Sequence, residues 1–207
     1  MAMIERGQTH RGTDGAIDTS AYGDTKMEGL PTSFPDVNID DPTILNSGRL
    51  LQGRIMRNVS GFTVYAGHTV IQSATTELRN KRFIGYTATT AVEAAGVVDP
   101  WLGSGGCRNG DMCNVFQSGP CPVLLADTWG SDVVIGDFMY AVTGAGTTAA
   151  TTDAGKVVPH TLALTFTATQ CTDGTQGKVL VNNIGRAMVA ATSGNKNTMK
   201  LVDLAIC

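Results

Sequence analysis

From Leu51 to the C-terminus, short runs of β-branched, aromatic and aliphatic residues are cut every few positions by Gly, Asn, Asp or Ser. This punctuation constrains the fold more than any other feature. A helix needs about ten or more residues at a period of 3.6, whereas about four to eight suffice for a strand. Most segments here fit only the second length. "FTVYAGHTVI" alternates and turns at Ala66-Gly67, and "KRFIGYTATT" ends a strand near a Gly. "MCNVFQSG" sets Met112, Asn114 and Phe116 against Cys113, Val115 and Gln117, and "CPVLLAD" is a short apolar run of its own. "DVVIGDFMYAVTG" carries a turn or bulge at Gly136-Asp137. "KVVPHTLALTFTATQ", "KVLVNNIGRAMVAA" and "MKLVDLAI" complete the series. Composition agrees, because 25 glycines and many threonines disfavour helix interiors. The expectation is an all-β protein, a small barrel or sandwich over residues 51–207. "TTAVEAAGVVDPWL" and "GRAMVAA" could each hold one or two helical turns, neither long enough to change the class.

Residues 1–50 differ in texture. They are rich in Gly, Asp, Thr and Pro, and Pro31, Pro35 and Pro42 exclude a continuous helix. We read them as an extended N-terminal arm. Its scattered apolar residues are candidate anchors for a partner: Leu30, Phe34, Ile39, Ile44 and Leu45. Met1–Gly12 is polar and lacks the apolar stretch of a secretory signal, so the expectation is a soluble protein made in a cytoplasm. No apolar run has the length of a membrane-spanning helix.

A faint internal echo runs through the strands. Ala66-Gly67-His68-Thr69-Val70, Ile84-Gly85-Tyr86 and Gly110-Asp111-Met112-Cys113 follow the same order as Ile135-Gly136-Asp137-Phe138-Met139-Tyr140, Ile184-Gly185-Arg186 and Met199-Lys200-Leu201-Val202. A duplicated small barrel would produce this, and so would chance in a Gly-rich β chain.

Charge narrows the function classes. Against 18 acidic residues stand 15 Lys and Arg, a net charge of −3 with no basic stripe. Direct nucleic-acid binding, which rests on clustered cations, is not expected. The five cysteines include no CxxC pair, so neither a zinc site nor a secreted disulfide framework is expected. We read them as small buried hydrophobes. Pairs such as Cys107, Cys113, Cys121 or Cys171 with His68 or His160 lack any surrounding motif of a cysteine nucleophile. A GxSxG elbow is absent, "GSGG" lacks the Lys of a phosphate loop, and Asp127 and Asp132 read as turn acids. No catalytic residue, metal or cofactor is therefore assigned. Of the two tryptophans, Trp101 in a Gly-rich loop is a candidate contact anchor, while Trp129 is expected to fold back as a lid.

From Phe62 onward, the order of motifs resembles the bacteriophage capsid-decoration (cement) proteins. That family strings together AGxxV, IGxA, GDxVxV, GDxVY, IGRA and a closing strand. The corresponding residues are Ala66–Val70, Ile84–Thr87, Gly110–Val115, Gly136–Tyr140, Ile184–Ala187 and Leu201–Leu204. His68 stands where an acid is usual, the Gly96–Asn109 loop is long, and the polar arm is an addition. The resemblance implies a non-enzymatic virion protein on the outer capsid surface, with the major capsid protein as partner and a homotrimer as assembly. A head-fibre or tail protein, or a host-surface carbohydrate-binding module, is the alternative.

Overall fold

The computed structural model describes residues 27–35, 50–73, 75–87, 94–126, 132–141, 153–159, 183–192 and 197–206. Their strands are β1 (Pro31–Pro35), β2 (Leu50–Asn58), β3 (Thr69–Gln72), β4 (Arg82–Tyr86), β5 (Ala94–Val98), β6 (Met112–Leu124), β7 (Phe138–Ala141), β8 (Val157–Pro159), β9 (Asn183–Ala187) and β10 (Met199–Ala205). The protein is all-β, as its punctuated sequence predicts. The strands make one ten-stranded sheet, β1-β2-β4-β3-β5-β6-β10-β9-β7-β8, with a further β2–β6 pairing. The sheet is not a single closed barrel, contrary to one form of the expectation.

The echo is a tandem repeat of one five-stranded unit. Unit 1 is β2, β3, β4, β5 and the first half of β6; unit 2 is the second half of β6, β7, β8, β9 and β10. In unit 1, β3 pairs antiparallel with β4 and β5, and β6 pairs antiparallel with β5 and β2. In unit 2, β7 pairs antiparallel with β8 and β9, and β10 pairs antiparallel with β9 and β6. A short parallel contact completes each unit: Asn58 beside Phe83, and Leu125 beside Val157.

Register matches residue by residue. Thr69, Val70 and Ile71 oppose Val97, Gly96 and Ala94; Phe138, Met139 and Tyr140 oppose Arg186, Gly185 and Asn183. Each pairing therefore skips one residue at the same step, Ala95 or Ile184. Both bulge glycines have φ +149. Val64 bridges Cys107 as Val133 bridges Ala191. Val98 N–H donates to His68 O at 2.9 Å, and Ala187 N–H to Asp137 O at 2.9 Å. Gly110 N–H donates to Asn58 O, and Asn197 N–H to Leu125 O. Gly110 has φ +93; Asn197, its equivalent, has φ +52 and is the non-glycine residue with positive φ among those described. Asn tolerates that region better than most residues, which fits its place here.

This correspondence corrects one part of the echo. Ile184-Gly185-Arg186 aligns with Ala95-Gly96-Val97 and not with Ile84-Gly85-Tyr86. Of the two segments that could hold helical turns, the described parts contain bulged strands, β5 and β9, and residues 89–93 lie outside the described residues. Ala-rich β5 reads as helix locally, but its residues are buried along their whole length between β3 and β6. The helical geometry described is a 3-10 turn, Thr76–Lys81, with one further residue of that type at Met27. "MCNVFQSG" and "CPVLLAD" are one strand of 13 residues, not two. Gly119, at φ +93, carries the chain through; a Cβ there would stand 2.2 Å from Leu50 O. β6 thus closes unit 1 and opens unit 2.

Each unit wraps its own apolar residues. Met56, Val64, Val70, Phe83, Ala95, Val98 and Val115 pack together in unit 1. Their equivalents Val123, Val133, Met139, Val157, Ile184, Ala187 and Val202 pack in unit 2. Cys107 fills the place that Ala191 takes in unit 2, which accounts for it as a small hydrophobe.

Candidate functional site: the β2 edge and the exposed turns

The outer edge of β2 carries residues from the N-terminal segment. β1 pairs antiparallel with β2, with Thr32 opposite Gly53 and Phe34 opposite Leu51. The prolines at both ends of β1 suit an edge strand, which need not donate a full ladder of N–H groups. Phe34 meets Phe116 edge-on, with ring centroids 5.8 Å apart, and Trp101 meets the same ring at 6.3 Å. Two of the candidate anchors therefore converge on one buried aromatic of β6. Trp101 is held by a turn in which its backbone N–H donates to Asp99 Oδ1 at 3.0 Å, and it is only partly exposed. Leu30 and Leu50, at opposite ends of the β1–β2 pairing, are exposed at 40% and 51%. Ile39, Ile44 and Leu45 lie outside the described residues.

Upstream of β1 sits a charged clamp that sequence reading missed. Glu28, almost fully buried, bridges Arg57 and Arg82; Arg82 Nε lies 3.1 Å from its Oε2. Arg57 also donates to Gly110 O at 2.6 Å, and Arg54 to Gly29 O at 3.3 Å. Met27 packs on Ile55 and Met112. No local motif announces this cluster, because its members come from segments far apart in sequence.

On the outer face of β1, β2 and β6 lies a shallow trough of about 300 Å³, floored by Gly53 and lined by Ser33, Gln52, Arg54, Gln117 and Ser118. Thr32 Oγ1 beside it is buried and without a hydrogen-bond partner.

Two equivalent turns differ in exposure. Tyr65 of unit 1 is 49% exposed, while Val134 and Ile135 of unit 2 reach 62% and 67%. A type of turn that usually displays polar residues here displays two β-branched ones.

Cys107, Cys113 and Cys121 are buried. A hydrogen bond with Cys107 and burial push the Cys113 thiol well up, and burial pushes Cys121 up. Both are kept from the thiolate form that a nucleophile requires. His68 stacks on Tyr86 at 4.8 Å, and burial lowers its pKa. Burial raises Tyr86 to about 12. Among the described residues, no group of three or more His, Cys, Asp or Glu is placed to hold a metal ion. No helix among them is long and apolar enough to cross a membrane. His160, Cys171, Cys207, Asp127 and Trp129 lie outside the described residues. No family model and no curated protein sequence matches the chain.

Proposed function

We propose that the chain is a structural virion protein that binds the outer surface of a phage capsid and stabilises contacts between capsomers. Its partner is the major capsid protein, and its working form on the lattice is a homotrimer. The observation that carries this reading is the seating of Met27–Pro35 on β2. The segment is anchored by Glu28 and Phe34, and it leaves apolar Leu30 and Leu50 exposed at the two ends of the β1–β2 pairing. An arm rooted on a rigid sheet can span a joint between subunits, since extended chain reaches about 3.3 Å per residue. A protein that binds only the assembled shell stabilises it by mass action, and repeated copies multiply weak contacts. The motif order that resembles the decoration family supports the same reading.

Co-sedimentation with capsids tests it. Full-length protein is expected to pellet with expanded capsids and to raise their thermal disruption temperature. Binding to neither expanded nor precursor capsids overturns the proposal.

A further inference from the structure

Two segments of unit 2 converge just beyond β6. Leu125 bridges Val157 in parallel, and Ala126 N–H donates to Val157 O at 3.0 Å. Leu125 N–H also donates to Thr198 O at 3.0 Å, and Asn197 N–H donates to Leu125 O at 3.2 Å. The residue before β8, Lys156, is thereby held against the turn before β10. The turn that leads into Lys156 is fixed as well. Lys156 N–H donates to Asp153 O at 3.1 Å, and Gly155 O accepts from Thr69 of unit 1 twice, from its N–H at 2.6 Å and from its Oγ1 at 2.9 Å. Gly155, at φ +75, has no room for a Cβ, which would stand 2.7 Å from Tyr86 Cδ1.

Within this frame an amine meets an amide and a carboxylate. Lys156 Nζ donates to Asn197 Oδ1 at 2.5 Å and to Asp153 Oδ1 at 3.1 Å. With a C=O bond of about 1.2 Å, Asn197 Cγ stands on the order of 3–3.5 Å from Nζ, the separation of a near-attack arrangement. Lys156 and Asp153 are 7% and 9% exposed, and Ala154 and Val157 beside them are buried. Asn197 is exposed. Passing one proton from Nζ to Asp153 turns the buried ion pair into a neutral amine and a neutral acid, a change that costs least where water is excluded.

We propose that Lys156 and Asn197 join in a spontaneous isopeptide bond, with Asp153 moving the proton. Lys156 gives one proton to Asp153 and attacks Asn197 Cγ as the free amine. As the Nζ–Cγ bond forms, a second Nζ proton passes to Nδ2. The Cγ–Nδ2 bond then breaks, and ammonia leaves on the exposed side of Asn197, taking the proton held by Asp153 as ammonium. The reaction needs no oxidant, cofactor or second substrate. Positioning supplies the drive, because a well-oriented intramolecular pair reacts as though its partner were present at about 10⁵ M or more.

The bond ties the start of β8 to the start of β10 across the end of β6. Because Gly155 is bonded to Thr69, it also secures the seam between the two units. Unit 1 lacks the reactants. Where unit 2 has Lys156 and Asn197, unit 1 has Arg82 and Gly110: a guanidinium paired with Glu28, which does not deprotonate, and a residue with no side chain. The inference is independent of the capsid reading.

The intact mass of the purified full chain, measured after denaturation, tests it. The chain is expected to be lighter than its sequence by about 17 Da, one molecule of ammonia. Digestion is expected to release a branched peptide that joins Lys156 to Asn197. Lys156→Arg and Asn197→Gly place the residues of unit 1 in unit 2, and each is expected to keep its full sequence mass, with circular dichroism verifying the fold. Asp153→Asn still offers Nζ a partner but cannot take its proton, and it is expected to slow the bond by about a hundredfold or more. A folded full chain that holds its unaltered sequence mass after prolonged incubation at pH 8 overturns the proposal. So does a mass loss that persists in Lys156→Arg, which marks a succinimide at an asparagine instead, or a bond that forms as fast in Asp153→Asn. Where a variant fails to fold, the mass of the full chain and its branched peptide decide alone.

Discussion

If the two units are copies, their bulge glycines should respond alike to the smallest possible insult. Gly96 and Gly185 both sit at φ +149, a backbone region that costs a side chain about 1–3 kcal/mol. Space is also missing. A Cβ at Gly96 would stand 2.4 Å from Phe116 O, and one at Gly185 would stand 2.0 Å from Asp203 O. Both obstacles are backbone of the neighbouring strand, which cannot rotate aside. Overpacking of this kind adds about 1–3 kcal/mol. Gly96→Ala and Gly185→Ala are therefore each expected to destabilise by about 3–5 kcal/mol, a large share of a normal domain's stability. Gly136→Ala is the control. It has positive φ, +93, but open space, so only the backbone cost of about 1 kcal/mol remains. Urea unfolding followed by circular dichroism measures all three, read as midpoint shifts at constant slope. A Gly185→Ala shift no larger than that of Gly136→Ala would refute the close approach, and opposite behaviour at 96 and 185 would refute the equivalence.

The other predictions concern side chains. In a Cys171→Ser/Cys207→Ser background, Cys107, Cys113 and Cys121 should resist iodoacetamide at pH 8 and react only as denaturant unfolds the chain; fast labelling of any one in native buffer would contradict their burial. Glu28→Gln should lower stability by about 1–3 kcal/mol, less than a fully buried pair because Arg82 is part-exposed, and a null effect in urea unfolding would show the clamp to be dispensable. His68 has its pKa lowered by burial, so the unfolded chain takes up its proton first. Stability should therefore fall as pH drops below about 6.5, and His68→Gln should flatten that slope in thermal melts between pH 7 and 5.

The class of the fold was legible because turn residues recur faster than any helix can tolerate. The echo was legible in part for the same reason. Ala66-Gly67 and Ile135-Gly136 are both turns that feed a strand, and Met112 and Met199 both begin one. The middle pair was misread because Ile84-Gly85 and Ile184-Gly185 share letters, whereas Ala95-Gly96 shares only geometry with the latter. A glycine at a β-bulge is selected for φ and for a neighbouring carbonyl, and neither is written in its flanking residues. The Glu28 clamp was illegible for a different reason. Its arginines are separated from it by the length of the β2 hairpin and a 3-10 turn, and only register brings them together.

Where the units differ, the differences gather at the seam and at the free ends. Core equivalents exchange one apolar residue for another: Met56 for Val123, Phe83 for Val157, Ala95 for Ile184. An exception is Asn58, the equivalent of Leu125. It is fully buried, and its Nδ2 donates to Phe62 O at 2.7 Å and Cys107 O at 2.8 Å while its Oδ1 accepts from Ser60. Unit 1 therefore locks its 58–62 turn by a side chain, whereas unit 2 buries a leucine at that place. At the seam, Pro122 removes the N–H that Ile55 uses, so β6 cannot accept a strand like β1 and receives only a turn. Once two copies are fused, the second no longer needs its own N-terminal strand, and a proline there blocks a wrong pairing at small cost. At the equivalent stretch of unit 1, Ile55 N–H donates to Leu30 O, and β1 continues the pairing along Leu50–Arg54.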